Sequence, residues 1–265
     1  MSDFVSQQPS ATVTDSAATN ALGRLLALVY GIGCYGVFLV AFLYAIGFVG
    51  NFVVPKSVDM GGVPAALPEA LIVNVLLLGF FAVQHSVMAR PEFKRQWTKL
   101  VPKSVERSTF VLCASLALLL LYWQWRPIPT PVWSVESEIG RALLHGLYLL
   151  GWAIVFFGTF MINHFDLFGL RQVYFKARNR EYADLGFRTA FFYRFLRHPI
   201  MLGFIVAFWA TPAMTIGHLL FSIATTLYIL IAIQLEERDL VRFFGEQYRE
   251  YRRRTPMLIP RLPKQ

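Results

Sequence analysis

The sequence predicts an all-α integral membrane protein with five or six transmembrane helices, a C-terminal helical hairpin among them, and an amphipathic helix after the last. Three observations predict it. Of 265 residues, 56% are hydrophobic and only 15% charged, against about a quarter charged in a soluble domain. The apolar residues gather into runs near the roughly 20 residues a helix needs to cross the hydrocarbon core. The basic residues gather into alternate connections between those runs.

The runs are Leu25–Val49, Leu71–Met88, Phe110–Trp123, Ala142–Met161, Ile200–Met214 and Ile216–Leu235. The third and fifth are short, which calls for a tilted or partly submerged helix there. Only "TPAMTI", Thr211 to Ile216, separates the fifth from the sixth, and Pro212 marks a tight helical hairpin.

The basic residues orient the chain. The connection from Ala89 to Arg107 holds six Lys or Arg, the stretch from Asn163 to His198 seven, and the tail after Leu235 eight. With Arg24 these make 22 of the 25, all on one side if six segments cross; only Lys56, Arg126 and Arg141 fall opposite. The positive-inside rule then puts both termini in the cytoplasm of a bacterial-type membrane. The net charge of +9 is read the same way, as orientation and not as nucleic-acid binding. Cys34 and Cys113 lie in different apolar runs, so they form no disulfide framework and no metal spacing. Residues 1–22 are mostly small and polar, with no basic residue from which a secretory signal could start. We expect a disordered cytoplasmic extension there and a single membrane domain over residues 23–265. Nothing in the chain calls for a nucleic acid or an obligatory protein partner.

Some signals mislead. "GIGCYG", Gly31 to Gly36, matches a dinucleotide fingerprint that works only between a strand and a helix. Inside an apolar helix, close packing through small residues accounts for it better. Trp97, Trp123, Trp125 and Trp133 are expected in an interfacial belt.

The histidines point to a site. His145 and His218 start runs on the outer side, whereas His85, His164 and His198 lie at inner boundaries of three separate elements. Gln84, Arg107, Ser108, Asn163, Asp166, Arg171 and Arg197 stand around them. Polar groups at the hydrocarbon edge are costly unless paired or used, so three imidazoles at one depth favour a pocket over three independent helix ends. No His-Glu-x-x-His and no paired cysteines occur, so no metal is expected. In the tail, Leu240, Phe244, Tyr248 and Tyr251 form one helical stripe among arginines, the pattern of a helix lying on lipid headgroups. Glu236 and Glu237 fit that surface poorly and call for a cationic partner. Gly245 interrupts the stripe and implies a bend or a close contact.

"RHPIMLG", Arg197 to Gly203, a hairpin, and then "EERDLVRFFGEQYREYRRRTPMLIP" resemble the isoprenylcysteine carboxyl methyltransferase group and the NnrU-like membrane proteins. "QHSVMARPEFKRQW" with its continuation to Pro129, and "NHFDLFGLRQVYF", resemble the methanethiol S-methyltransferase branch of that superfamily. The resemblance implies S-adenosylmethionine as methyl donor, bound at the cytoplasmic face by residues from about 190–262. Carried over by position, His198, Gly203, Glu237 and Tyr248 are the cofactor contacts, with Arg197, Glu236 and Tyr251 behind them. The pattern's tyrosine is Met201 here, so one contact differs.

The chemistry of those residues fits. Glu237 suits the donor's ammonium, Arg197 or His198 its carboxylate, and aromatic faces its sulfonium. A thiol must lose its proton before it attacks. His164 oriented by Asp166 is the expected base, with Asn163 lining the acceptor side and His85 and Arg107 in support. The expected function is methylation of a small thiol, methanethiol or hydrogen sulfide. A lipid-linked acceptor (a prenylcysteine-like carboxylate or a phospholipid amine) is one alternative, and a non-enzymatic NnrU-like membrane protein is another. Helix capping remains the rival account of Asn163, His164 and Asp166.

Overall fold

A computed structural model of the chain describes residues 12–183, 189 and 191–259, with side chains from residue 20 onward. The elements are α1 (Thr12–Gly50), α2 (Leu67–Ala89), α3 (Pro91–Trp97), α4 (Lys103–Gln124), β1 (Pro131–Ser134), α5 (Glu138–Ile162), α6 (His164–Leu167), α7 (Leu170–Ala177), a 3₁₀ turn at Phe191–Arg194, α8 (Pro199–Trp209), β2 (Ala213–Thr215), α9 (Ile216–Phe244) and α10 (Glu246–Arg254). Five of these, namely α1 from Asn20, α2, α4, α5 and α9, are long and apolar enough to cross a membrane.

The expected segments are modified in three places. The third is a full span, because α4 starts at Lys103, and its charged first turn lies outside the apolar run. The fifth, expected from Ile200 to Met214, is helical only to Trp209. Its 11 residues rise about 16 Å, roughly half the hydrocarbon thickness. The chain continues into β2, which pairs antiparallel with β1 in the register Pro131↔Thr215, Trp133↔Met214 and Ser134↔Ala213. Because β1 precedes α5 and β2 follows α8, this pairing puts the two ends on one side. All three basic connections therefore fall together opposite it. The third change is at the N-terminus: α1 begins at Thr12, inside the stretch expected as a tail, and residues 1–11 of that stretch lie outside the described residues. So do residues 190 and 260–262 of the expected cofactor part.

Small residues set the tightest contact. A Cβ on Gly203 of α8 would sit 2.7 Å from the Gly151 carbonyl of α5, and one on Gly151 would sit 2.6 Å from the Ala207 nitrogen. Close backbone approach of this kind drives helix association in lipid, where the hydrophobic effect is weak. Within "GIGCYG" only Gly31 does such work, against Val173 of α7; Gly33 and Gly36 face open space.

The outer half holds the main core, with Phe48, Leu121, Tyr122, Trp125, Trp152 and Phe221 at its centre. Trp125 is fully buried and donates its indole N–H to the Val58 carbonyl at 2.9 Å. It belongs to that core and not to the interfacial belt expected for it, because its N–H has a partner inside the protein. Trp123 by contrast is 70% exposed. The outer loop is fastened by Asp59, which accepts hydrogen bonds from Asn51 at 2.6 Å and from the Thr215 hydroxyl, with His218 3.7 Å away.

Candidate active site

At the basic end, α5 gives way to α6 through Asn163, whose Oδ1 accepts the Asp166 backbone N–H at 3.1 Å. This is an N-cap. The next turn closes at Gly169, with φ of 86°, where a Cβ would sit 2.6 Å from the Ser108 hydroxyl. Only glycine fits that combination of backbone sign and contact. Arg107 Nε donates to the Leu167 carbonyl at 2.7 Å and the Ser108 hydroxyl to the Gly169 carbonyl at 3.3 Å. The first turns of α4 thus hold the "NHFDLFG" connection in place.

His164 is buried in that connection, stacked on Phe160 at 4.2 Å. Its Nδ1 lies 2.8 Å from the Thr159 hydroxyl and its Nε2 lies 2.7 Å from the Tyr35 hydroxyl of α1. Thr159 donates its only proton to the Phe156 carbonyl at 2.7 Å, so toward the ring it accepts. Nδ1 therefore carries the hydrogen, and the Nε2 lone pair accepts from Tyr35. Burial holds this imidazole below the ordinary histidine pKa. Asp166 does not orient it, contrary to expectation. Its carboxylate is taken by the Tyr182 hydroxyl at 2.9 Å, Arg171 at 3.2 Å and Gln172 at 3.4 Å.

His85 of α2 is different. Its ring stacks on Phe81 at 5.4 Å and tilts on Phe110 at 4.9 Å, and its Nδ1 is buried without a hydrogen-bond partner. The Arg107 guanidinium lies over the same Phe110 ring, 5.1 Å from its centre. The same cation is bonded to α6 through the Leu167 carbonyl.

The tail forms the third part. Arg197 Nε binds Glu237 at 2.6 Å, and its NH1 donates to the carbonyls of Arg252 at 2.8 Å and Thr255 at 2.7 Å. His198 Nε2 lies 3.0 Å from the same Glu237 oxygen, and the backbone N–H groups of Arg197 and His198 donate to the carbonyls of Pro256 and Met257. Glu237 is 5% exposed, whereas Glu236 is 47% exposed and 3.8 Å from His198 Nδ1. At Gly245, with φ of 58°, the chain bends as expected, and α10 turns Tyr248 inward, where it is buried. Burial raises the Tyr248 phenol, with the charges of Glu237 and Glu236 adding to it. Burial also pushes Tyr251 up to about 12, against the pull of Arg197, and its hydroxyl donates to the Tyr193 carbonyl at 2.6 Å. Met201 packs with Ile229, Ile233 and Leu258, so it closes the tail onto the hairpin.

Residues 73–253 match the NnrU protein family. This chain belongs to the NnrU family. Its relatives include methanethiol S-methyltransferase 2 of Bradyrhizobium diazoefficiens, 60% identical over 90% of this chain and 92% of that protein. Methanethiol S-methyltransferase of Mycobacterium tuberculosis is 60% identical over 89% of this chain and 97% of its own length. Nurim of Homo sapiens is 30% identical over 76% of this chain and 87% of that protein. No solved structure matches the chain.

In this NnrU chain the expected residues fall into two kinds. Among the described residues, His85 keeps a buried ring nitrogen without a partner and Glu236 stays half exposed, while Arg107 is held by the Leu167 carbonyl and the Phe110 ring. Asn163, Arg197, Glu237 and Gly203 are committed to caps, clamps and packing. Sequence reasoning missed Tyr35, Thr159, Tyr182 and Tyr193. The signal for Tyr35 was present, since a phenol within an apolar run has to find a partner; the signal for Tyr193 was not. Burial raises the Tyr193 phenol, and the Glu236 charge adds to it, so this residue lies within reach of the freer of the two carboxylates.

Proposed function

We infer that this protein methylates the sulfur of methanethiol, with S-adenosylmethionine as donor, to give dimethyl sulfide. The likeness to the bacterial methanethiol S-methyltransferases across nine-tenths of the chain carries that reading. The basic side is read as cytoplasmic, where the donor is made, which leaves both termini there.

The residues present suit the donor. The half-exposed Glu236 carboxylate fits its ammonium better than Glu237, whose Oε1 is already shared by Arg197 and His198. Tyr193 and the buried Tyr248 supply aromatic faces suited to a sulfonium. When bound, the cofactor supplies an electrophilic methyl group. Everything else falls to the chain's own side chains.

His85 is the proton acceptor we assign. A neutral imidazole needs one free lone pair to take the thiol proton, and that of His164 is occupied by Tyr35, whereas His85 Nδ1 is without a partner among the described residues. Arg107 stabilises the thiolate from beside the same phenylalanine; with its charge in reach, the thiol ionises more readily. Phe81 and Phe110 exclude water and suit a methylthio group. His164, held by Tyr35 and Thr159, positions the α5–α6 connection behind them, and alignment of acceptor and donor supplies much of the acceleration.

The test is direct. Membranes holding the protein are incubated with S-adenosylmethionine and methanethiol, and dimethyl sulfide is followed in the headspace. Product above control membranes supports the reading. Cofactor binding without product moves the acceptor to another class, and absence of both removes the enzyme.

A further inference from the structure

We propose that the cleft between the inner ends of α1, α4 and α7 binds the phosphate headgroup of an anionic phospholipid. The cleft encloses about 250 Å³ and is lined by Asn20, Arg24 and Ala27 on one face of α1, Ser104 and Val105 on α4, and Lys176 on α7. None of the lining residues is acidic. Two cations from separate elements thus converge on one space. Among the described residues, the Arg24 guanidinium makes one hydrogen bond, a long one of 3.4 Å to Asn179.

Depth decides what fits. The apolar run of α1 begins at Leu25 and a crossing needs about 20 such residues, so Arg24, immediately before it, falls at the headgroup boundary. Leu25, Leu26 and Val29 of the same helix are each more than half exposed. A lipid whose phosphate sits between Arg24 and Lys176 can run its acyl chains along that apolar face. The arrangement is the ordinary one of juxtamembrane cations at an anionic leaflet, here with a defined cavity and a hydroxyl to fix the headgroup. Neither the ligand nor the place belongs to methyl transfer, so the proposal stands apart from the activity.

Native mass spectrometry of the full-length protein in detergent tests it. With phosphatidylglycerol and phosphatidylcholine both added, the wild type retains phosphatidylglycerol in preference. The Arg24→Gln/Lys176→Gln variant loses that retention roughly tenfold or more. Ala27→Phe, which fills the cleft without changing charge, does the same. Arg249→Gln/Arg254→Gln, with equal loss of charge on the exposed face of α10, leaves retention intact. Equal loss in the site and control variants, or no preference between the lipids, overturns the proposal. Displacement of the lipid signal by inorganic phosphate alone also overturns it, in favour of a free-phosphate site.

Discussion

The Tyr35 hydroxyl lies 2.7 Å from His164 Nε2, joining two residues that stand 129 positions apart. Because Thr159 fixes the opposite nitrogen as the donor, the imidazole has no lone pair left for a substrate. The histidine that the sequence reading places at the centre of catalysis thus also fastens α1 to the α5–α6 connection. In the proposed mechanism the proton-accepting role therefore goes to His85, whose Nδ1 has no hydrogen-bond partner among the described residues.

The two histidines separate by kinetics. His85→Gln should lower kcat by roughly a hundredfold or more, in the range of lost general-base catalysis. His164→Gln should retain the greater part of turnover in protein that stays folded. Headspace dimethyl sulfide measured against methanethiol concentration reads both, and a reversed order returns the base to His164.

Removing the fastening should cost stability. Tyr35→Phe deletes one hydrogen bond to a buried ring nitrogen and leaves it unsatisfied, at about 1–3 kcal/mol. A lower Tm with KM for S-adenosylmethionine unchanged is the expected result.

Acid should loosen the same place. His164 is held below its unfolded pKa by burial, so the unfolded chain binds the proton more readily. Stability is then full above about pH 6.5, the unfolded histidine value, and falls as pH drops below it toward the folded pKa. Tm followed across that window in wild type and His164→Gln should show a shallower acid decline in the variant.

The paired glutamates should divide the work. Glu236→Gln should raise KM for S-adenosylmethionine with little change in Tm. Glu237→Gln weakens the buried contacts to Arg197 and His198 that hold the tail; breaking such pairs costs about 3–5 kcal/mol. Its Tm should fall, and isothermal cofactor titration distinguishes the two.

Gly203→Ala should act through packing. The added methyl meets the Gly151 carbonyl at 2.7 Å, an overpacked contact costing about 1–3 kcal/mol. A lower Tm with unaltered cofactor affinity would confirm it as a helix-crossing residue; a lost affinity with intact Tm would restore it as a cofactor contact.

The sequence by itself determined the membrane class, the long spans, the segregation of basic residues, the hairpin and the bend at Gly245. Each of these is written in local composition and periodicity, because a helix in lipid must satisfy its own backbone and face apolar side chains outward. Three histidines near the ends of separate elements were legible for the same reason. Only the tertiary structure gave their partners: Tyr35 and Thr159 for His164, Glu237 for His198, and none for His85 Nδ1 among the described residues. Glu236 and Glu237 are neighbours in sequence and chemically alike, yet one is buried under Arg197 and the other half open. Likewise α8, half the length of a span, is followed by a strand that pairs with β1, far earlier in the chain. Hydrogen-bond partners and close backbone approaches are pairings between distant residues, and neither spacing nor hydropathy along one chain encodes which pairs will meet.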